Sequence, residues 1–254
     1  MYDNTAIIME GAGPFYFKGN KIGMLMIHGG GGGTCADLKP LAEDLHELKG
    51  YTIHVPLLPG YGTSPQNLKE TDISDWKNAL EKEIVLLQDK CNKVFIGGHS
   101  MGALLSLILA SIYNFDGVFT ICAPVGINRF GYKLVPFFKL FLKYYPVNSE
   151  KFKNETNGAW IGYNKIPLNI ATKVKKLIKE MIGCLDKISC PVIFFQGCLD
   201  SEVNRDSMDI ISKNINSTVK KKIWLKNNAH PILNSPDHQQ IVLELIEFIG
   251  QVCN

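Results

Sequence analysis

Val94-Phe95-Ile96-Gly97-Gly98-His99-Ser100-Met101-Gly102 runs directly into Ala103-Leu104-Leu105-Ser106-Leu107-Ile108-Leu109-Ala110. An apolar run of strand length, a glycine-flanked turn and a second apolar stretch predict strand, sharp turn and helix in that order. Gly98, Ser100 and Gly102 spell G-x-S-x-G in the setting that motif requires. Such a turn is strained, and the positions two before and two after the serine approach so closely that side chains there would clash, hence glycine at both. The turn lifts the Ser100 hydroxyl above the carboxyl end of a sheet and aims the positive end of a helix at any oxyanion forming beside it. That arrangement suits acyl transfer. The plainer alternative is a glycine-rich turn in which Ser100 only caps the helix.

Outward from this turn, short apolar runs alternate with stretches of helical period, the pattern of a mostly parallel sheet covered on both faces. Strands are expected at Phe15 to Phe17, Gly23 to Ile27, Thr52 to Val55, Lys93 to Gly97, Val118 to Ile121, Val192 to Gln196 and Lys220 to Leu225. Ile73, Trp76, Leu80, Ile84 and Leu87 share one helical face, with Thr71, Asp72 and Ser74 available as caps. Ile241, Val242, Leu245, Phe248 and Ile249 repeat that pattern in a closing helix that Pro236 and Asp237 should start. From about Val125 to Lys187 no strand-like run occurs, while Leu134 to Tyr145 and Ile170 to Ile182 read as helices. The fold class expected is therefore α/β, with residues 1–124 and 188–254 forming the core and 125–187 a helical cap. The cap is strongly cationic and carries the aromatic run Phe130 to Tyr145, which could roof an acyl-chain pocket.

A serine nucleophile needs an acid and a base after it in the chain and hydrogen-bond donors for the oxyanion. Asp200 lies just beyond the apolar strand Val192 to Gln196, with Glu202 and Asp206 as rival carboxylates in the same loop. His230 follows the strand Lys220 to Leu225 and precedes the last helix, where the base belongs; His238 sits in the first turn of that helix and is the weaker candidate. The N–H groups of Met101 and Gly30 are the expected oxyanion donors, with Gly29 and Gly31 beside the substrate in the run His28 to Gly33. A phosphate-binding loop or a flexible linker would also use glycines, but no Gly-Lys-Ser/Thr follows. His28 is read as ordering this loop, His99 as a buried hydrogen-bonding residue of the turn, and His46 and His54 as ordinary helix and strand residues.

Composition narrows the class. A net charge of +3 over 254 residues, without an aromatic-basic motif, argues against nucleic acid as a partner. Seven cysteines without paired CxxC spacing give neither a zinc site nor a disulfide framework and suit a reducing compartment. With no basic-then-apolar amino terminus and no apolar run of spanning length, the expected location is the cytoplasm, without stable membrane insertion.

The stretches Pro14-Phe-Tyr-Phe17, Met24-Leu-Met-Ile-His-Gly29, Pro59-Gly-Tyr-Gly62, Asp75-Trp76, Gly98-His-Ser-Met-Gly102, Thr120-Ile-Cys-Ala-Pro124, Gln196 to Asp200 and Ala229-His230 carry a resemblance over nearly the whole chain. Together they are similar to the bacterial carboxylesterases and monoacylglycerol lipases of the α/β-hydrolase superfamily. The resemblance implies Ser100, Asp200 and His230 as triad, the N–H groups of Gly30 and Met101 as oxyanion hole, and no metal or organic cofactor. The implied partner is a small ester with an apolar acyl chain, cleaved by water. The same triad also serves thioester cleavage and acyl transfer, and a non-catalytic binding protein could keep the fold. Two departures stand out: a glycine run where such enzymes usually place a bulky or polar residue after His-Gly, and alanine before His230.

Overall fold

The computed structural model describes residues 7–127, 142–156 and 158–253. In chain order the core elements are β1 (Phe15–Phe17), β2 (Ile22–Ile27), α1 (Lys39–Lys49), β3 (Thr52–Val55), α2 (Pro65–Glu70), α3 (Ile73–Lys90), β4 (Lys93–His99), α4 (Met101–Ala110) and β5 (Gly117–Ile121). After β6 (Tyr144–Pro146), α5 (Ser149–Glu155), β7 (Lys165–Pro167) and α6 (Asn169–Ile182), the core resumes with β8 (Val192–Gly197), α7 (Ser207–Asn214), β9 (Lys220–Leu225) and α8 (His238–Cys253).

All seven strands expected from the sequence join one sheet in the order β1-β3-β2-β4-β5-β8-β9. Only β1 is antiparallel to its neighbour; the other pairings are parallel. Alternation along each strand divides the core in two. Leu25, Ile27, Val94, Ile96 and Phe194 face α3, α4 and α6, whereas Met24, Met26, Phe95, Ile193 and Phe195 face α1 and α8. The central strands are buried on both faces, which explains why they read as continuous apolar runs. Of the candidate caps, Asp72 starts α3, closing a capping box in which Asp75 accepts from the Asp72 N–H at 2.7 Å. Every residue of α4 is buried, because the sheet lies on one side and α6 on another.

The register decides where side chains of distant sequence meet. Ile27 pairs with Gly98, His99 with Ile121, and Gly197 with Leu225. The carboxyl ends of β2, β4, β8 and β9 therefore finish at one edge, and the loops after them converge there.

The stretch between β5 and β8 departs from the all-helical expectation. Ile170 to Ile182 forms α6 as expected, but Tyr144 and Tyr145 belong to a strand, and β6 and β7 pair as an antiparallel ribbon. Each has three residues, too few to show period-two alternation. Tyr144 is held from outside the ribbon by its hydroxyl, which donates to Gln66 at 2.7 Å, and within it by Lys165 of β7, which lies over its ring. Tertiary context overrides local preference here. The rest of the helix expected over Leu134 to Tyr145, up to residue 141, lies outside the described residues.

Candidate active site

Ser100 sits between β4 and α4 at φ 53° and ψ −114°, a strained backbone for a residue with a side chain. The surrounding chain enforces it. A Cβ on Gly98 would lie 2.3 Å from the Ile27 carbonyl oxygen, and one on Gly102 would lie 1.9 Å from the same atom. Both clashes are with backbone, so nothing can rotate away.

The turn presents the Ser100 hydroxyl to His230, whose Nε2 lies 3.0 Å from Oγ. His230 Nδ1 lies 2.9 Å from Asp200 Oδ2. Asp200 is fixed in turn: Oδ1 accepts from the Glu202 and Val203 N–H groups at 2.9 and 3.1 Å, and Oδ2 accepts from Gln196 Nε2 at 3.2 Å. The structure thus brings the three expected residues into one hydrogen-bonded chain and gives Asp200, rather than Glu202 or Asp206, to His230. Burial opposes the charged form of Asp200, but the bond to His230 and the two N–H donors outweigh it and hold its pKa below the ordinary value. Burial also opposes protonation of His230, yet the bond to Asp200 and the neighbouring Cys122 sulfur prevail and hold the imidazole above the ordinary histidine value.

His28 orders the glycine loop. Its Nε2 accepts from the Leu58 N–H at 3.2 Å, so the proton is on Nδ1, which donates to the Gly29 carbonyl at 2.9 Å. In a trans peptide the N–H opposes the C=O, so this bond turns the Gly30 N–H to the other side of the loop. From the next peptide, the Gly30 carbonyl accepts from the Tyr61 hydroxyl at 3.3 Å. The loop lies against the serine turn: a Cβ on Gly30 would fall 2.8 Å from Met101 Sδ, and one on Gly29 would fall 3.1 Å from His99 Nδ1. His28 is fully buried, and burial pushes its pKa down to about 4, so it remains a neutral ring.

His99 donates from Nε2 to the His230 carbonyl at 2.8 Å, which positions the backbone of His230. Its pKa is pushed down to about 3, chiefly by burial. The other histidines are elsewhere: His238 pairs with Asp44 at 2.7 Å, His54 with Glu83 at 3.1 Å, and His46 with the Tyr51 carbonyl at 2.8 Å. Donor atoms of His99, Cys122 and His230 lie within 4.8 Å of one another, a spacing compatible with a metal ion. Both ring nitrogens of His230 already serve Ser100 and Asp200, however, so a metal there would have to break that chain.

Above Ser100 opens a cavity of about 540 Å³. Gly29, Gly30, Gly31, Ser100, Met101 and His230 form its floor, while Tyr144, Val147, Trp160, Ile166 and Val174 come from the stretch between β5 and β8. That roof is tied to the floor loops. Tyr163 N donates to the Gly32 carbonyl at 3.0 Å, its hydroxyl donates to the Gly60 carbonyl at 2.6 Å, and Thr34 Oγ1 donates to the Ile161 carbonyl at 3.0 Å. Lys173, buried on α6, donates to the carbonyls of Leu68 and Thr71 and lies over the Trp76 ring.

Sequence reasoning assigned no role to Gln196, Cys122 or Tyr61. Gln196 ends a strand and Tyr61 lies in the Pro-Gly-Tyr-Gly turn, but their partners become visible only when the strand ends converge. Cys122 carried a weak signal, a cysteine directly after a central strand; it takes φ 51° beside His230.

The matches to known proteins agree with this geometry. Residues 24–168 match the family described as the alpha/beta hydrolase family. The chain belongs to the α/β-hydrolase family. Among its curated relatives, a thermostable monoacylglycerol lipase of Bacillus sp. (strain H-257) is 30% identical over 245 residues, covering 96% of each chain. A carboxylesterase of Bacillus subtilis (strain 168) is 27% identical over 243 residues, covering 94% of this chain and 96% of that one. Among solved structures, a chain of the metagenome-derived lipolytic enzymes LipS and LipT superposes with a TM-score of 0.87 at 25% identity, covering 96% of this chain and 100% of that one. The seven-stranded sheet and the serine turn are thus those of an α/β-hydrolase, and among the described residues no helix is long and apolar enough to cross a membrane.

Proposed function

We propose that this α/β-hydrolase cleaves carboxylic esters, of short to medium acyl chain or of the monoacylglycerol type, through an acyl-enzyme on Ser100. The observation carrying this reading is the unbroken hydrogen-bonded chain Ser100–His230–Asp200 at the floor of a largely apolar cavity. His230 takes the proton of Ser100 as Oγ attacks the ester carbonyl, and Asp200 holds the Nδ1–H tautomer and stabilises the imidazolium that forms. His230 then returns the proton to the departing alcohol. Water, deprotonated by the same imidazole, releases the acid and regenerates Ser100.

The N–H groups of Gly30 and Met101 receive the oxyanion in this scheme. Gly30 is aimed by the His28 to Gly29 bond, and Met101 begins α4, whose amino-terminal dipole adds to the field. Gly29 and Gly31 leave room for the substrate to approach the backbone. Residues 125–187 act as a cap over a core of residues 1–124 and 188–254, and the acyl chain lies under Trp160, Ile166 and Val174. The seven free thiols are consistent with work in a reducing compartment, the cytoplasm.

Labelling with a fluorophosphonate, wild type beside Ser100→Ala, tests the assignment. One label per wild-type chain and none on the variant is expected. Equal labelling of both proteins, or none of well-folded wild type, contradicts it.

A further inference from the structure

The oxyanion scheme uses only part of the glycine run. Gly31 and Gly33 also border the cavity, and a Cβ at position 31 would meet nothing within 4 Å. The loop therefore presents a shelf of bare backbone to the cavity: at Gly31 open space is left unfilled, whereas at Gly30 and Gly33 a side chain would strike Met101 and Asp37.

Asp37 stands at the end of that shelf. It closes the 3-10 turn Cys35–Asp37 and borders the same cavity. Its carboxyl presses on the loop so closely that a Cβ on Gly33 would lie 2.2 Å from Oδ2. Its Oδ1 is shut off from solvent and has no hydrogen-bond partner among the described residues, whereas Oδ2 is not shut off in this way and is the oxygen open to a ligand in the cavity. Buried polar atoms are nearly always bonded, so an orphaned carboxyl at a substrate cavity calls for an explanation. Burial pushes the Asp37 pKa up to about 7, so near neutrality the group is present both as acceptor-only carboxylate and as O–H donor. An alcohol hydroxyl, which donates and accepts, can bond either form.

Building on the acyl-enzyme reading, we propose that Asp37 determines specificity for the alcohol half of the ester: the glycine shelf seats an uncharged, hydroxyl-bearing alcohol whose free hydroxyl bonds the Asp37 carboxyl. Glu202 borders the cavity as well. Two acidic side chains disfavour an anionic leaving group such as a phosphate-bearing glycerol, through like-charge repulsion in a site partly stripped of water.

The test compares kcat and KM for a 1-monoacylglycerol and for the methyl ester of the same acid, in wild type, Asp37→Leu and Asp37→Asn. Asp37→Leu is expected to raise KM for the glycerol ester about tenfold, the equivalent of ~1.4 kcal/mol, and to change the methyl ester far less. Asp37→Asn, which still donates and accepts, should recover most of the loss. Equal losses on both esters, with normal unfolding curves, would assign Asp37 to loop support alone and overturn the proposal, as would no loss on either. A wild-type preference for the phosphate-bearing ester would overturn it too. Failure of the underlying reading looks different: wild type would then cleave neither ester and take no fluorophosphonate label.

Discussion

The floor and the roof of the cavity are built on different principles. On the floor, Ser100, Asp200 and His230 each sit within five residues of the carboxyl end of a sheet strand, and close neighbours hold them there. Ser100 is pinned by two glycines against the Ile27 carbonyl, and Asp200 is held by two N–H groups and two side chains. The roof is a short ribbon and two helices held to the core through particular polar ties, from Tyr163 and Lys173 downward and from Thr34 of the core up to Ile161. The floor fixes geometry through backbone sterics and strand register, whereas the roof fixes cavity shape through side-chain contacts. Loops and caps on a fixed scaffold are where substrate choice is expected to reside.

This contrast orders the effects of substitution. Asp200→Asn leaves the floor in place but gives His230 the wrong tautomer, and kcat should fall about 10⁴-fold with KM little changed. A loss below tenfold in steady-state kinetics would mean that Glu202 or Asp206 serves the base. Gly102→Ala drives a Cβ into the Ile27 carbonyl, and chemical denaturation should show a loss of about 4 kcal/mol or no folded protein at all. Lys173→Ala, a roof change, should cost about 2 kcal/mol of stability by taking its donor from the Thr71 carbonyl, while the Leu68 carbonyl keeps the Thr71 hydroxyl at 2.9 Å. It should move the acyl-length profile while leaving fluorophosphonate labelling of Ser100 intact. If it also abolished labelling, floor and roof would not be separable.

The buried histidines add a pH dependence. His28 and His99 are depressed to about 4 and 3 in the folded state, and His54 to about 4, all chiefly by burial. Unfolded, each binds its proton near pH 6.5, so the stability gained from keeping them neutral is present above that pH and is lost as pH falls toward 4. Asp37, raised to about 7, works in the opposite sense throughout that window, as one group against three. Denaturation midpoints should therefore fall between pH 6.5 and 4, by a few kcal/mol in all. For activity the sign follows His230, which is raised. The acid limb of kcat/KM should lie above the ordinary histidine value, and Asp200→Asn should move it lower.

The same contrast explains what could be read from the sequence. The central parallel strands β2, β4, β5 and β8, buried on both faces, must be apolar runs and were legible as such; β1, β3 and β9, which carry exposed or half-buried positions, were legible from their branched and aromatic residues, and the serine turn from its two obligatory glycines. Asp200 was legible only as one of three carboxylates in a loop, because register and the Glu202 and Val203 N–H groups make the choice. The ribbon of β6 and β7 was not legible, since three residues carry no period and its partners lie far away in the chain. Asp37 showed no signal at all: an aspartate after a polar turn looks solvated until the glycine shelf is folded against it.

The central claim is a covalent acyl-enzyme on Ser100. It is met most directly by mixing the protein with excess p-nitrophenyl ester, following the first turnover, and mapping the quenched protein by mass spectrometry. The account predicts a burst of about one p-nitrophenolate per chain and an acyl mass on the peptide containing Ser100, absent in Ser100→Ala. Turnover that produced no adduct under any quench, or that survived in Ser100→Ala, would contradict it.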